Sequence, residues 1–183
     1  MLLIHVGVQY RVEPKETIMW QEIWTTIVSE FSDIPDFSTM ARITIRLVLA
    51  AVLGGIIGYE RERKASSAGV RTHMLVAVGA ALFVIAPLQS GMDISDMSRV
   101  LQGIVQGVGF LGAGAIMVRA GQQKIRGLTT AANIWVTAGI GVVVGLGLEA
   151  TAVLSTVIVL IILAAVPHIV PPADHDDAGD KKF

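Results

Sequence analysis

Between Met40 and Val170 the chain carries five apolar stretches, each close to the length of helix that crosses a bilayer. Crossing takes roughly 20 mostly apolar residues in a helix. The stretches run from Met40 to Tyr59, Thr72 to Leu88, Val100 to Val118, Leu128 to Gly147 and Glu149 to Val170. The second is the shortest and is expected to close at Pro87, because proline ends or kinks a helix. A water-soluble domain would have to wrap these stretches in a charged skin. Only 16% of the residues are charged and 53% are hydrophobic, with a mean hydropathy of +0.67. Soluble domains are about one-quarter charged, so the remaining surface must face lipid. The expected fold is an all-α membrane protein, a bundle of five transmembrane helices preceded by an N-terminal amphipathic helix.

Other classes fall away on composition. With 14 Lys and Arg against 15 Asp and Glu, the net charge is -1, which excludes a generally basic nucleic-acid binder. There are 0 cysteines, so no disulfide scaffold, thiolate zinc site or cysteine nucleophile is available. Met1 to Val8 is apolar but lacks a basic flank and a small-residue cleavage site, so a cleaved signal is not expected.

The connectors set an orientation. Glu60–Arg71 holds Arg61, Arg63, Lys64 and Arg71, and Arg119–Arg126 holds Arg119, Lys124 and Arg126. Gln89–Arg99 holds Arg99 beside Asp93 and Asp96, and the short turn at Leu148–Ala150 holds only Glu149. Basic connectors stay cytoplasmic, so the first and third face the cytoplasm, the N-terminus lies outside and the C-terminus inside. Arg42 and Arg46, at the outer end of the first span, run against this rule.

Three regions follow. Residues 1–39 form an extension in which Met19, Trp20, Ile23, Trp24, Ile27, Val28 and Phe31 share one helical face. That face can pack on the bundle or lie in the headgroup layer, where Trp is favoured. Pro35 should separate this helix from the first span. Residues 40–170 form the transmembrane domain. Residues 171–183, rich in Pro and Asp, are expected to be a disordered acidic tail.

Glycine is abundant within the spans. Gly54 and Gly58, Gly103 and Gly107, and Gly141 and Gly145 are spaced by four, joined by Gly109, Gly112 and Gly114. Membrane helices meet where small residues let their backbones approach, so these glycines mark packing within or between subunits, or thin helices lining a pore. Gly107 to Gly112 matches G-x-G-x-x-G, but a dinucleotide site needs a preceding strand and a following acidic residue. No Asp or Glu occurs between Asp96 and Glu149. No cofactor is expected.

Polar residues at membrane depth are functional candidates by default. Arg46 either snorkels to the interface or pairs with Asp93 or Asp96. Glu60 pairs with Lys64 one turn on, or with Arg71 or Arg126. His73, alone at the start of the second span, reads as structural. Gln102 and Gln106 share a face of the third span. Thr129, Thr130, Asn133 and Thr137 form a polar stripe on the fourth. Hydrogen bonds between helices account for these residues, and a hydrated pathway is the sharper reading. The absence of an acidic cluster at this depth weakens a dehydrated Mg²⁺ site. His175, within Asp174–Asp177, reads as part of a solvated tail. No nucleophile has a partnering base, so enzymatic activity is not expected.

Four segments together carry a specific resemblance: RLVLAAVLGGIIGYERER from Arg46, AGVRTHMLVAVGAALF from Ala68, GIVQGVGFLGAGAI from Gly103 and RGLTTAANIWVTAGI from Arg126. In order and spacing they resemble the MgtC/SapB family of bacterial inner-membrane proteins, over about Arg42 to Leu163. The resemblance implies a five-span core, a role in magnesium homeostasis and growth at low Mg²⁺, and in pathogens survival inside macrophages. It also implies a regulator that contacts other membrane machinery, notably the F-type ATP synthase, although members have long been labelled magnesium transporters. Arg46, Glu60, Arg71, Arg99, Arg126, Thr129 and Thr130 match its motif positions. Asn133 stands where relatives vary. The soluble domain that some members carry after the last span has no counterpart here, which places the chain in the short, SapB-like branch. The expected partners are the bilayer, other membrane proteins and a second copy of the chain.

Overall fold

The computed structural model describes residues 15–33, 36–118 and 125–169. The chain divides into two compact units, Met1–Ala41 and Arg42–Phe183. The first contains helix α1, Lys15–Glu30. Its apolar side chains Met19, Trp20, Ile23, Trp24, Ile27 and Val28 are exposed. Thr25 and Thr26 turn their hydroxyls back onto the helix carbonyls of Gln21 and Glu22. Pro35, the expected separator, lies outside the described residues.

Five helices follow: α2 (Phe37–Arg63), α3 (Val70–Gln89), α4 (Met97–Ala115), α5 (Leu128–Gly145) and α6 (Glu149–Ile169). Between α4 and α5 lies a two-residue antiparallel ladder, with β1 (Met117–Val118) pairing β2 (Ile125–Arg126). Among the described residues α2, α3, α5 and α6 are long and apolar enough to cross a bilayer. The stretch expected as the third span forms α4, which carries Arg99, Gln102, Gln106 and several glycines and is not among them, so four of the five expected spans meet the length and apolarity of a crossing helix.

Several boundaries differ from the expected ones. α2 does not stop at Tyr59 but runs through Glu60, Arg61, Glu62 and Arg63. Glu and Arg are good helix formers, and arginine in a last turn favours the carbonyl end of the helix dipole. α3 does not close at Pro87 but continues to Gln89. There the chain turns, with Ser90 N–H donating to Ala86 O and Met92 N–H to Pro87 O. α4 ends at Ala115 rather than Val118, because the chain switches to the β1–β2 ladder. Gly127 makes the return into α5 at φ +94°, where a side chain would run into the Ala115 carbonyl. The 171–183 tail lies outside the described residues.

The core is built from small residues. Ala50, Leu53 and Ile57 of α2 pack with Ala77, Ala81 and Ile85 of α3, Ile140 and Val144 of α5 and Ala152 of α6. A second cluster joins Ala80 of α3, Val108 of α4 and Ile134 and Ala138 of α5, with Ala68 of the preceding loop. The large apolar side chains face outward instead: Ile45, Val48 and Val52 on α2, Leu75 and Phe83 on α3, Leu154, Ile158 and Ile161 on α6. In water this distribution would be inverted. In lipid it is favourable, since helix association there relies on close packing and not on hiding apolar surface.

Candidate functional site

The bundle is held at close range where glycines meet backbone. Gly54 lies against the His73 carbonyl and Ala77, and Gly58 against Gly69 and Val70, so α2 and α3 run antiparallel. Gly141 rests on the Ala77 backbone, and Gly145 on Ala81 O and Val84. Both sequences rise together, so α3 and α5 run parallel. A Cβ at any of these four glycines would fall closer than 3.0 Å to a neighbouring atom.

Around this contact lies a buried polar set. His73, Thr130, Asn133, Thr137 and Arg61 are all buried, at 0%, 7%, 4%, 0% and 8% exposure. Thr130, Asn133 and Thr137 repeat at helical spacing, so the stripe expected on this helix points inward. Its N-terminal end is tied down by a 2.9 Å hydrogen bond between the hydroxyls of Thr130 and Ser66 of the α2–α3 loop. His73 Nδ1 lies 2.9 Å from Gly69 O. A carbonyl can only accept, so Nδ1 carries the proton, and in a neutral ring Nε2 is then bare. His73 Nε2, Asn133 Nδ2 and Thr137 Oγ1 are buried without a hydrogen-bond partner among the described residues.

The entry to α3 is capped from α2. Glu62 accepts from Val70 N–H at 2.9 Å, and Gly69 leaves room for the carboxylate. A carboxylate at the first turn satisfies an orphan donor and favours the positive end of the helix dipole. Arg61 continues the stripe Ala50, Leu53–Gly54, Ile57–Gly58 onto the buried face of α2. Sequence reading missed Arg61, Glu62 and Ser66 as organising residues. The spacing of Arg61 from Gly54 and Gly58 was the available signal for one of them.

The expected site residues separate into groups. Arg46 pairs with neither Asp93 nor Asp96. Its Nε lies 3.4 Å from Glu149 Oε1 and its Nη1 donates to Gly145 O at 3.2 Å, because the α5–α6 turn comes to the N-terminal half of α2. Glu60 pairs with its neighbour Arg61, not with Lys64, Arg71 or Arg126. Both carboxylate and guanidinium lie on the last turn of α2, where the connector was expected to begin. Arg71, Arg99, Arg126 and Thr129 are exposed, as is Asp96, which precedes α4 without a side-chain cap. Gln102 and Gln106 are exposed on α4. Thr130 and Asn133 enter the buried set.

The glycines also divide. Gly54, Gly58, Gly141 and Gly145 sit in close helix contacts, and Gly112 is in ordinary contact with Ala131. Gly103, Gly107, Gly109 and Gly114 of α4 meet nothing within 4 Å. Gly103 and Gly107 instead line an apolar groove of about 650 Å³ between α3 and α4, with Leu75, Gly79 and Phe83 on its other wall.

Comparison with known proteins covers the same region. The MgtC family model matches residues 47–170. The chain is 44% identical over 133 residues to Protein SrpB of Synechococcus elongatus, covering 67% of this chain and 73% of that protein. It is 45% identical over 130 residues to the putative magnesium transporter YhiD of Escherichia coli K12, covering 67% of this chain and 60% of that one. With Protein MgtC of Salmonella typhimurium it shares 46% identity over 116 residues, covering 63% of this chain but 48% of the relative. It thus spans less than two thirds of the last two. No solved structure matches the chain. A family model that matches residues 47–170 and relatives at 44–46% identity lead to one conclusion: this multi-pass membrane protein belongs to the MgtC family.

Proposed function

We propose that this chain is a non-enzymatic, five-span protein of the bacterial inner membrane. It serves magnesium homeostasis and adaptation to low Mg²⁺ by contacting other membrane machinery, and it does not carry the ion itself. The observation that carries this reading is the outward face of α4. Arg99, Gln102 and Gln106 are exposed there beside Gly103, Gly107, Gly109 and Gly114, where an added side-chain carbon would meet nothing within 4 Å among the described residues. Small residues and side-chain amides are what membrane helices use to bind one another. With α4 as a span, this face offers a contact surface to another membrane protein or to a second copy.

The buried polar set supports the same view. It consists of one His, one Arg, one Asn and threonines, with no carboxylate among the described residues. Mg²⁺ seeks carboxylates and dehydrates reluctantly. In this reading the Glu60–Arg71 and Arg119–Arg126 connectors face the cytoplasm, the N-terminus lies outside, and the basic connectors meet partners or anionic lipid. The F-type ATP synthase, named by the family resemblance, is the first partner to test.

A second reading, transport of Mg²⁺ or another ion, rests on the free polar atoms of His73, Asn133 and Thr137. Flux of Mg²⁺ into proteoliposomes separates the two. The regulatory reading expects no flux from folded, inserted protein, and recovery of growth at low Mg²⁺ only when the α4 face is intact. Saturable flux that Asn133→Ala, Thr137→Ala abolishes would overturn it.

A further inference from the structure

His73 of α3 and Asn133 and Thr137 of α5 lie together by register. Gly141 rests on Ala77, so Thr137 and His73, each one turn earlier on parallel helices, share a level. Asn133 lies one turn further toward Gly69. All three side chains are at least nine-tenths buried, and each has a polar atom that no group among the described residues satisfies. Orphan polar atoms in an apolar interior are costly and rarely left so.

Their chemistry selects the occupant. His73 Nε2 is an acceptor, since Nδ1–H is committed to Gly69 O. Asn133 Nδ2 is a donor, and Thr137 Oγ1 can donate or accept. A bare cation would meet the Asn133 N–H groups, and an anion would meet the Nε2 lone pair. A water molecule suits all three: it donates to Nε2, accepts from Asn133 Nδ2 and bonds Thr137 with its remaining capacity. Buried waters characteristically make two to four such bonds.

We propose that His73, Asn133 and Thr137 hold a buried water molecule hydrogen-bonded to His73 Nε2. Thr130, bonded to Ser66, lies one turn beyond Asn133 and continues the polar stripe to the α2–α3 loop. In the other direction Gly141 and Gly145 close directly on Ala77, Ala81 and Val84. Those close contacts bound the site on that side. This site stands independently of the function proposed above.

Solid-state NMR on ¹⁵N-labelled protein in lipid bilayers tests it, with the His73 signals assigned by their loss in His73→Gln. The expected result is magnetisation transfer from water to Nε2 and an Nε2 shift moved upfield of a free imidazole nitrogen. In Thr137→Val that transfer should weaken, while the protonated Nδ1 signal stays in place and reports an intact fold. Three results would overturn the proposal: no transfer from water, a scalar coupling showing a direct Asn133-to-Nε2 bond, or undiminished transfer in Thr137→Val.

Discussion

Arg46 Nε lies 3.4 Å from Glu149 Oε1, and the same guanidinium reaches the Gly145 carbonyl at 3.2 Å. One side chain of α2 thus binds the last turn of α5 and the first turn of α6. The arrangement places a cation at a carbonyl end and an acid at an amide end, which is how helix dipoles are best complemented. Gly147, at φ +81°, leaves room for the guanidinium. The two side chains are 27% and 43% exposed, so solvent screens the pair. A double-mutant cycle of Arg46→Gln and Glu149→Gln, read from unfolding in detergent, should give a coupling of about 0.5–1 kcal/mol. Strict additivity would show that the pair contributes nothing.

Glycines at equal spacing should respond unequally. Gly141→Val drives a side chain into the Ala77 backbone, which belongs to a packed helix and cannot yield. Overpacking of this kind costs about 1–3 kcal/mol. Gly107→Ala meets nothing within 4 Å, and alanine is the better helix former by roughly 0.8–1.0 kcal/mol. Thermal melting of the purified protein should fall sharply for the first and hold or rise for the second. A similar loss in both would refute this division of the glycines.

The Ser66–Thr130 bond makes a local prediction. Thr130→Val keeps the shape of a 7%-exposed side chain but removes its hydroxyl. The loss should be about 1 kcal/mol, concentrated in the α2–α3 loop. Hydrogen exchange at Ser66 to Gly69 should quicken while α6 is unaffected. Uniform acceleration across the bundle would argue for a global role instead.

Asp36, just before α2, caps that helix. Its Oδ1 accepts from Ser38 Oγ and from Thr39 N–H, each at 2.7 Å. The Ser38 hydroxyl first, then the Thr39 amide, hold its carboxyl below the usual 3.8. The sign follows from linkage: a depressed folded pKa contributes stability that is present above the unfolded value and lost as pH falls through the folded one. Exchange at Thr39 N–H should therefore quicken, beyond its intrinsic pH dependence, only as pH drops below the ordinary carboxylate range. Asp36→Asn should keep the cap and abolish this extra dependence. If the variant shows the same excess, another group is responsible.

Much of the fold was legible because bilayer crossing imposes length and apolarity, and both are written residue by residue. The apolar stretches beginning near Met40, Thr72, Leu128 and Glu149 became helices with ends displaced by a few residues. The displaced ends have local causes. Glu60 to Arg63 reads as a charged connector, yet its residues propagate a helix. Met117 and Val118 read as apolar span, yet they pair with Ile125 and Arg126. The polar stripe of Thr130 and Asn133 was visible in spacing. Which way it pointed was not, because an isolated helix does not record its neighbours.

The sequence by itself determined a helical membrane protein and its family, since composition, span length and motif order need no partner to be read. Tertiary structure alone decided that Arg46 meets Glu149 and not Asp93 or Asp96. It alone separated Gly141, pressed on Ala77, from Gly107, which faces open space. Ion-pair choice and close backbone approach depend on the register between helices distant in sequence. That register is set by the collective packing of Ala50, Ala77, Ala81, Val144 and Ala152, and no single segment contains it.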